Sequence, residues 1–205
     1  MAFDLWLSLV LVCILGALSP GPSLALVVRN TINAGRTGGL STAVAHGLGV
    51  ALYAAIAVTG IGLVIVQSET VFNIIQYSGA LFLLYLAYKS LTSHRGNIIA
   101  KHDAEEPVVT SKVNGWRDGF FIAFLNPKLA LFFLALFSQF VDSHATLLQQ
   151  SIMVATVGVI DTLWYCLVAW GLSRGAMLQR LRDNAHYLER ITGLVLILLA
   201  VRVIW

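Results

Sequence analysis

Long apolar runs with little or no formal charge alternate with short polar connections along the whole chain. About 20 mostly apolar residues are needed to cross a hydrocarbon core of roughly 30 Å as a helix. Six stretches meet or approach that length: Leu5–Val28, one within Thr37–Ser68, Thr70–Tyr88, Gly119–Val141, one within Ser143–Ser173, and roughly Tyr187–Trp205. The pattern predicts an all-α integral membrane protein with six transmembrane helices. The sixth has the least support, because its clean apolar centre, Ile191 to Val201, is too short to span. Glu189, Arg190 and Arg202 are therefore expected near the interfaces, their long stems snorkelling.

Two of the runs are broken. Ser19-Pro20-Gly21-Pro22-Ser23 interrupts the first, and Asn126-Pro127-Lys128 interrupts the fourth. Proline removes a backbone donor and crowds the preceding turn. In lipid the freed groups find no bulk water, so a broken helix is tolerated only against protein or a wet cavity. The segments after the breaks also align, Pro22-Ser23-Leu24-Ala25-Leu26 with Pro127-Lys128-Leu129-Ala130-Leu131. Interrupted apolar segments at matching places in two halves point to a transport site built on a repeat.

The polar stretch Thr92–Gly115, with Asp103, Glu105, Glu106 and Pro107, reads as a flexible linker between halves. The expected organisation is a first three-helix repeat over 1–91, a cytoplasmic linker over 92–116 and a second three-helix repeat over 117–205. An odd number of spans per half inverts the second against the first. Gly47 and Gly60 align with Gly158 and Gly171 at one constant offset, and the Gly-rich stretch Gly35–Gly49 suits close helix packing.

Basic residues cluster after the first, third and fifth runs (Arg29 and Arg36; Lys89, Arg95, Lys101, Lys112 and Arg117; Arg174, Arg180 and Arg182), and none follows the second or fourth. By the positive-inside rule these three segments are cytoplasmic and both termini face outward. Trp6, Trp116, Trp170 and Trp205 fall near run ends, as an interfacial aromatic belt requires. With 58% apolar and only 11% charged residues the chain leaves no room for a separate soluble domain. The net charge of +3 is explained by topology and does not imply nucleic acid. Cys13 and Cys166 lie in apolar runs and read as core residues. The first run is too long, and lacks the basic leader, for a cleaved signal peptide, so it is expected to remain as a helix.

Few polar groups lie inside the runs. Lys128 falls about 15 Å along the fourth run at about 1.5 Å per residue, near mid-membrane, where a charge costs at least ~2.5–3.5 kcal/mol without a partner. It is expected to attract a substrate carboxylate, or else to form a structural ion pair. Asp161, in the fifth run, matches it in charge and depth, and a carboxylate in a partly dry cavity can carry a proton or hold an ammonium group. His46 is a lesser candidate for proton coupling, since histidine changes charge near neutral pH. Unwinding at Pro20–Pro22 creates a half-helix N-terminus with free amides that favour an anion. Ser19, Gly21 and Ser23 flank it, and Asn126 stands beside Pro127 in the second break. Tyr53, Trp164 and Tyr165 are candidates for a pocket wall. No metal-ligand spacing is evident and no cofactor is implied. A Ser19–His46–Asp161 triad has no supporting motif, which argues against an enzyme.

Ser19-Pro20-Gly21-Pro22, Gly35-Arg36 with Gly38 and Gly39, and Asn126-Pro127-Lys128, in this order, resemble the lysine exporter superfamily, most closely its homoserine/threonine-efflux branch. Phe137-Ser138-Gln139-Phe140 and Asp161-Thr162-Leu163-Trp164 add to the likeness, which covers essentially the whole chain. The resemblance implies a bacterial inner-membrane exporter of amino acids or their derivatives, driven by the proton gradient. Some members carry an acidic residue where this chain has His46, a departure that favours neutral zwitterions or lactones over lysine or arginine. The expected partners are a small amino acid, protons and membrane lipid, with a homodimer compatible with the size and glycine content. The rival expectation is a metal or inorganic-ion exporter on a similar duplicated scaffold.

Overall fold

The computed structural model describes residues 3–19, 21–92, 114–141, 145–172 and 176–201. They form helices α1 (Phe3–Leu18), α2 (Pro22–Gln67), α3 (Glu69–Leu91), α4 (Gly115–Phe124), α5 (Pro127–Phe137), α6 (Leu147–Leu172) and α7 (Ala176–Val201), with no strand among the described residues. α2, α3 and α6 are each long and apolar enough to cross a membrane, and α4 with α5, bent by 54° at Leu125–Asn126, makes a fourth candidate. Large apolar side chains such as Leu48, Leu52, Ile56 and Leu63 face outward. That is the surface of a protein solvated by lipid.

The 46-residue α2 is folded back on itself. Gly35 has φ +69°, the left-handed region where a residue without Cβ pays no steric penalty. Asn30 Nδ2 donates to Thr42 Oγ1 at 2.9 Å, whereas twelve residues of straight helix would separate them by about 18 Å. Gly39 packs on Thr31, and Ser23 reaches His46. These pairs converge on Gly35, so residues 22–34 and 36–67 are antiparallel limbs of one hairpin. The expected polar connection holding Arg29 and Arg36 is therefore helical, with the turn confined to Gly35.

Glycines set the packing of the second limb. A Cβ at Gly47 would collide with Thr162 of α6, and one at Gly158 would meet Ala51 at 2.8 Å. On another face a Cβ at Gly49 would lie 2.9 Å from the Phe120 carbonyl oxygen, and one at Gly119 would strike the Thr42 backbone. Gly60, expected at a packing position, has nothing within 4 Å. α2 crosses α6 antiparallel and runs parallel to α4. Paired contacts Gln76–Ser138 and Gly79–Ala135 set α3 antiparallel to α5, and Ser90–Glu189 with Ala87–Gly193 set it antiparallel to α7.

Two boundaries differ from expectation. α4 begins at Gly115, inside the expected linker, where Asn114 Oδ1 accepts from Arg117 N–H as an N-cap. α7 begins at Ala176, well before Tyr187, and Glu189 is buried rather than snorkelling. Linker residues 93–113, Pro20 and Trp205 lie outside the described residues.

The hairpin turn and the α2–α6 crossing make a stability prediction. Gly35→Ala is expected to cost about 1–2 kcal/mol from the left-handed backbone, and Gly47→Val about 1–3 kcal/mol or more from overpacking against Thr162. Thermal unfolding in detergent measures both; no loss from Gly47→Val would contradict the crossing.

Candidate functional site

The first break sits where α1 ends and the short limb of α2 begins. Ser19 N–H closes α1 on the carbonyls of Leu15 and Gly16, and Gly21 is extended. Ala25 N–H returns to the Gly21 carbonyl, but no side chain caps this helix start. Pro22 has no N–H, which leaves the first-turn amides of Ser23 and Leu24 without intrahelical partners. The second break is different. Asn126 Oδ1 accepts from Lys128 N–H at 3.0 Å, so the expected substrate ligand Asn126 is already engaged as an N-cap.

Beside the uncapped break lies a buried polar chain. His46 Nδ1 is 2.7 Å from Asp161 Oδ2, and His46 Nε2 is 2.8 Å from Ser23 Oγ. The His46 side chain is 2% exposed and Asp161 13%, so the pair is nearly dry. With Asp161 ionised, Nδ1 carries the hydrogen and donates to it. Nε2 then accepts from the Ser23 hydroxyl when the imidazole is neutral, and donates to Ser23 Oγ when it is protonated. Tyr165, buried one turn from Asp161, packs edge-on against the His46 ring with centroids 4.8 Å apart and also interacts with Ser23. Trp164 Nε1 is enclosed without a hydrogen-bond partner, an orphan donor one turn from Asp161.

Asp161 is thus matched with His46, and Lys128 is not its partner. Lys128 is exposed, and its electrostatic neighbours are Glu189 of α7 and Lys89 of α3. The two breaks nevertheless come together. A Cβ at Gly16 would lie 3.5 Å from the Phe132 ring, and Thr192 Oγ1 lies 3.4 Å from the Leu15 carbonyl oxygen. α1 runs antiparallel to α5 and α7. One turn further toward the break, Ser19, Lys128 and Glu189 therefore share a level. Among the described residues no group of three or more His, Cys, Asp or Glu side chains can hold a metal ion. Cys13 and Cys166 are free thiols.

A model of the LysE type translocator family matches residues 14–205. The chain belongs to the LysE type translocator family. It is 26% identical over 185 residues to the uncharacterized membrane protein YrhP of Bacillus subtilis, covering 87% of this chain and 88% of that one. It is 24% identical to the uncharacterized membrane protein YahN of Escherichia coli, over 91% of this chain and 83% of the relative. A leucine efflux protein of Salmonella typhimurium is 29% identical over 161 residues, 78% of this chain and 73% of its own length. No solved structure matches the chain. This LysE type translocator is a multi-pass protein of the bacterial inner membrane and a transporter, not an enzyme.

Several groups that the fold brings near the breaks carried no sequence signal. Glu189 looked interfacial because charges flank it, and only the early start of α7 brings it inside. Thr192 is a lone hydroxyl in an apolar run. The partnership of His46 with Ser23 depends on the fold-back at Gly35, for which Gly35-Arg36 was the only available cue. The hydroxyl that reaches His46 is that of Ser23, not of Ser19.

Removing one member of the buried pair strands the other. His46→Leu is expected to destabilise by about 3–5 kcal/mol and His46→Leu with Asp161→Leu by much less. Thermal melts of the purified single and double variants check this; equal losses would mean that the two side chains do not depend on each other.

Proposed function

We propose that this translocator exports small neutral amino acids or their derivatives in exchange for protons, by alternating access between two inverted three-span halves. The observation that carries the reading is the Asp161–His46–Ser23 chain lying against the uncapped Pro22 break. It joins an imidazole and a carboxylate to a hydroxyl on the first turn of a half-helix whose amides favour a carboxylate. Gaining a proton turns His46 Nε2 from acceptor to donor. The Ser23 hydroxyl hydrogen is then released to point elsewhere, and the polarity of the break changes with it. Asp161 holds the charge of the imidazolium. Lys128 supplies a second positive group for the carboxylate, and the orphan Trp164 N–H a further donor. Proton uptake from outside is thereby coupled to substrate release.

Helix directions support the 3+3 arrangement. α1 and the short limb of α2 run one way, the long limb returns, and α3 runs back again; α4 with α5, α6 and α7 repeat this with opposite sense. The Gly47–Thr162 and Ala51–Gly158 contacts exchange with one another when the aligned halves are swapped. Under the same alignment His46 and Asp161 correspond to Val157 and Val50, both buried in the main apolar cluster. The scaffold is symmetric and its polar pair is not, as expected if one side of the crossing reads protons and the other only seals. Basic connections support a cytoplasmic linker and outward termini. Leucine efflux proteins among the relatives make a neutral aliphatic amino acid as good a candidate as homoserine, threonine or homoserine lactone.

Efflux of a labelled amino acid from loaded vesicles under an imposed proton gradient tests the reading. His46→Gln and Asp161→Asn should lose the response to the gradient by about tenfold or more, in the range of general acid–base effects, while downhill exchange persists. Unchanged proton-driven efflux by both Lys128→Ala and Asp161→Asn would remove these residues from the mechanism.

A further inference from the structure

The buried carboxylate of Glu189 is used neither by the proton chain nor by any feature of the sequence. Glu189 is 6% exposed in a helix that packs inside a membrane protein. An ionisable residue in that setting is costly and points to function. Its position is well defined. Ser90 Oγ donates to the Glu189 carbonyl oxygen at 2.6 Å, and a Cβ at Gly193, one turn on, would lie 2.8 Å from Leu91, so α7 is held tightly to α3 here. Thr192, three residues on, reaches the Leu15 carbonyl oxygen at the end of α1. Phe132, one turn beyond Lys128, lies against Gly16. A buried anion and an accessible cation therefore stand at the level of the first break, on α7 and α5.

We propose that Glu189 and Lys128 together form a receptor for a zwitterion, Lys128 taking the α-carboxylate and Glu189 the α-ammonium group. The proposal rests on the export reading and assigns the substrate class. It does not need Glu189 to be free in the empty protein, because a zwitterion enters by exchange: each of its charges replaces an existing partner, and the net charge of the site is unchanged. A cationic amino acid would add an uncompensated charge next to Lys128 and Lys89. A 2-oxo acid would pair Lys128 and leave Glu189 facing a carbonyl. Both should be rejected, the second because a buried charge left without a complementary partner is strongly unfavourable.

The test uses the full chain in liposomes of bacterial lipid with labelled leucine inside, competed by lysine and by 4-methyl-2-oxopentanoate, alongside thermal stabilisation of the detergent-purified protein by the same compounds. Wild type should favour leucine over the oxo acid and lysine in both assays. Glu189→Gln should raise KM for leucine about tenfold or more, the loss of one charge-assisted contact, with kcat little changed. Its discrimination against the oxo acid should fall to within about twofold. Glu189→Gln with unchanged KM and unchanged discrimination overturns the proposal. So does a Glu189→Gln melting loss that Lys128→Met restores together with transport, since that is the behaviour of a structural ion pair. Leucine stabilisation that Glu189→Gln abolishes, with no leucine efflux by wild type, would keep the receptor and overturn the export reading.

Discussion

The close crossing of α2 and α6 is the contact on which the site depends. Gly47 and Gly158 carry no Cβ, and each lets the facing helix come within van der Waals range of backbone. Only at that separation can a histidine on one helix reach a carboxylate on the other at 2.7 Å. A wider crossing would hold the two groups apart in a medium that solvates neither. In lipid no hydrophobic force draws apolar helices together, so packing by small residues has to supply the approach. Gly47 adjoins His46, and Gly158 stands one turn before Asp161. They set the spacing that makes the His46–Asp161 pair possible, and the pair in turn keeps two ionisable groups tolerable inside the membrane.

Gly35 performs the complementary task within one helix. By turning the chain sharply it lays residues 22–34 beside residues 36–67, and so carries Ser23 to the free nitrogen of His46. The two proline breaks then play unequal parts. Asn126 closes the second break with its own side chain, whereas the first stays open. An open helix start is unfavourable unless something satisfies its amides. The two breaks differ at aligned residues, Asn126 against Gly21: Asn126 supplies a capping side chain and Gly21 has none.

Much of this was legible in the chain, and the limits have physical causes. Apolar runs and prolines gave both breaks to within a residue or two, because each is a local property. The third and fifth runs became α3 and α6 within a few residues. Local pattern misjudged the charged ends: Arg29 and Arg36 suggested a loop where the chain stays helical, and Glu189 suggested an interface where the helix in fact begins earlier. Charge matching by depth paired Lys128 with Asp161, yet pairing in a bundle is decided by which helix faces which. That facing sets His46 against Asp161.

Two sets of ionisable groups stand near the first break. Asp161 with His46 is nearly dry; Lys128 is exposed and has the buried Glu189 among its electrostatic neighbours. The extended backbone around Gly21 stands between them, with Ser23 on one side and the level of Ser19 on the other. That segment leads into Ser23, whose hydroxyl meets His46, and begins at Ser19, level with Lys128 and Glu189. Coupling over so few residues needs no long pathway through the bundle. It needs only that the short segment at Gly21, extended and without a side-chain cap, link the two sets of groups.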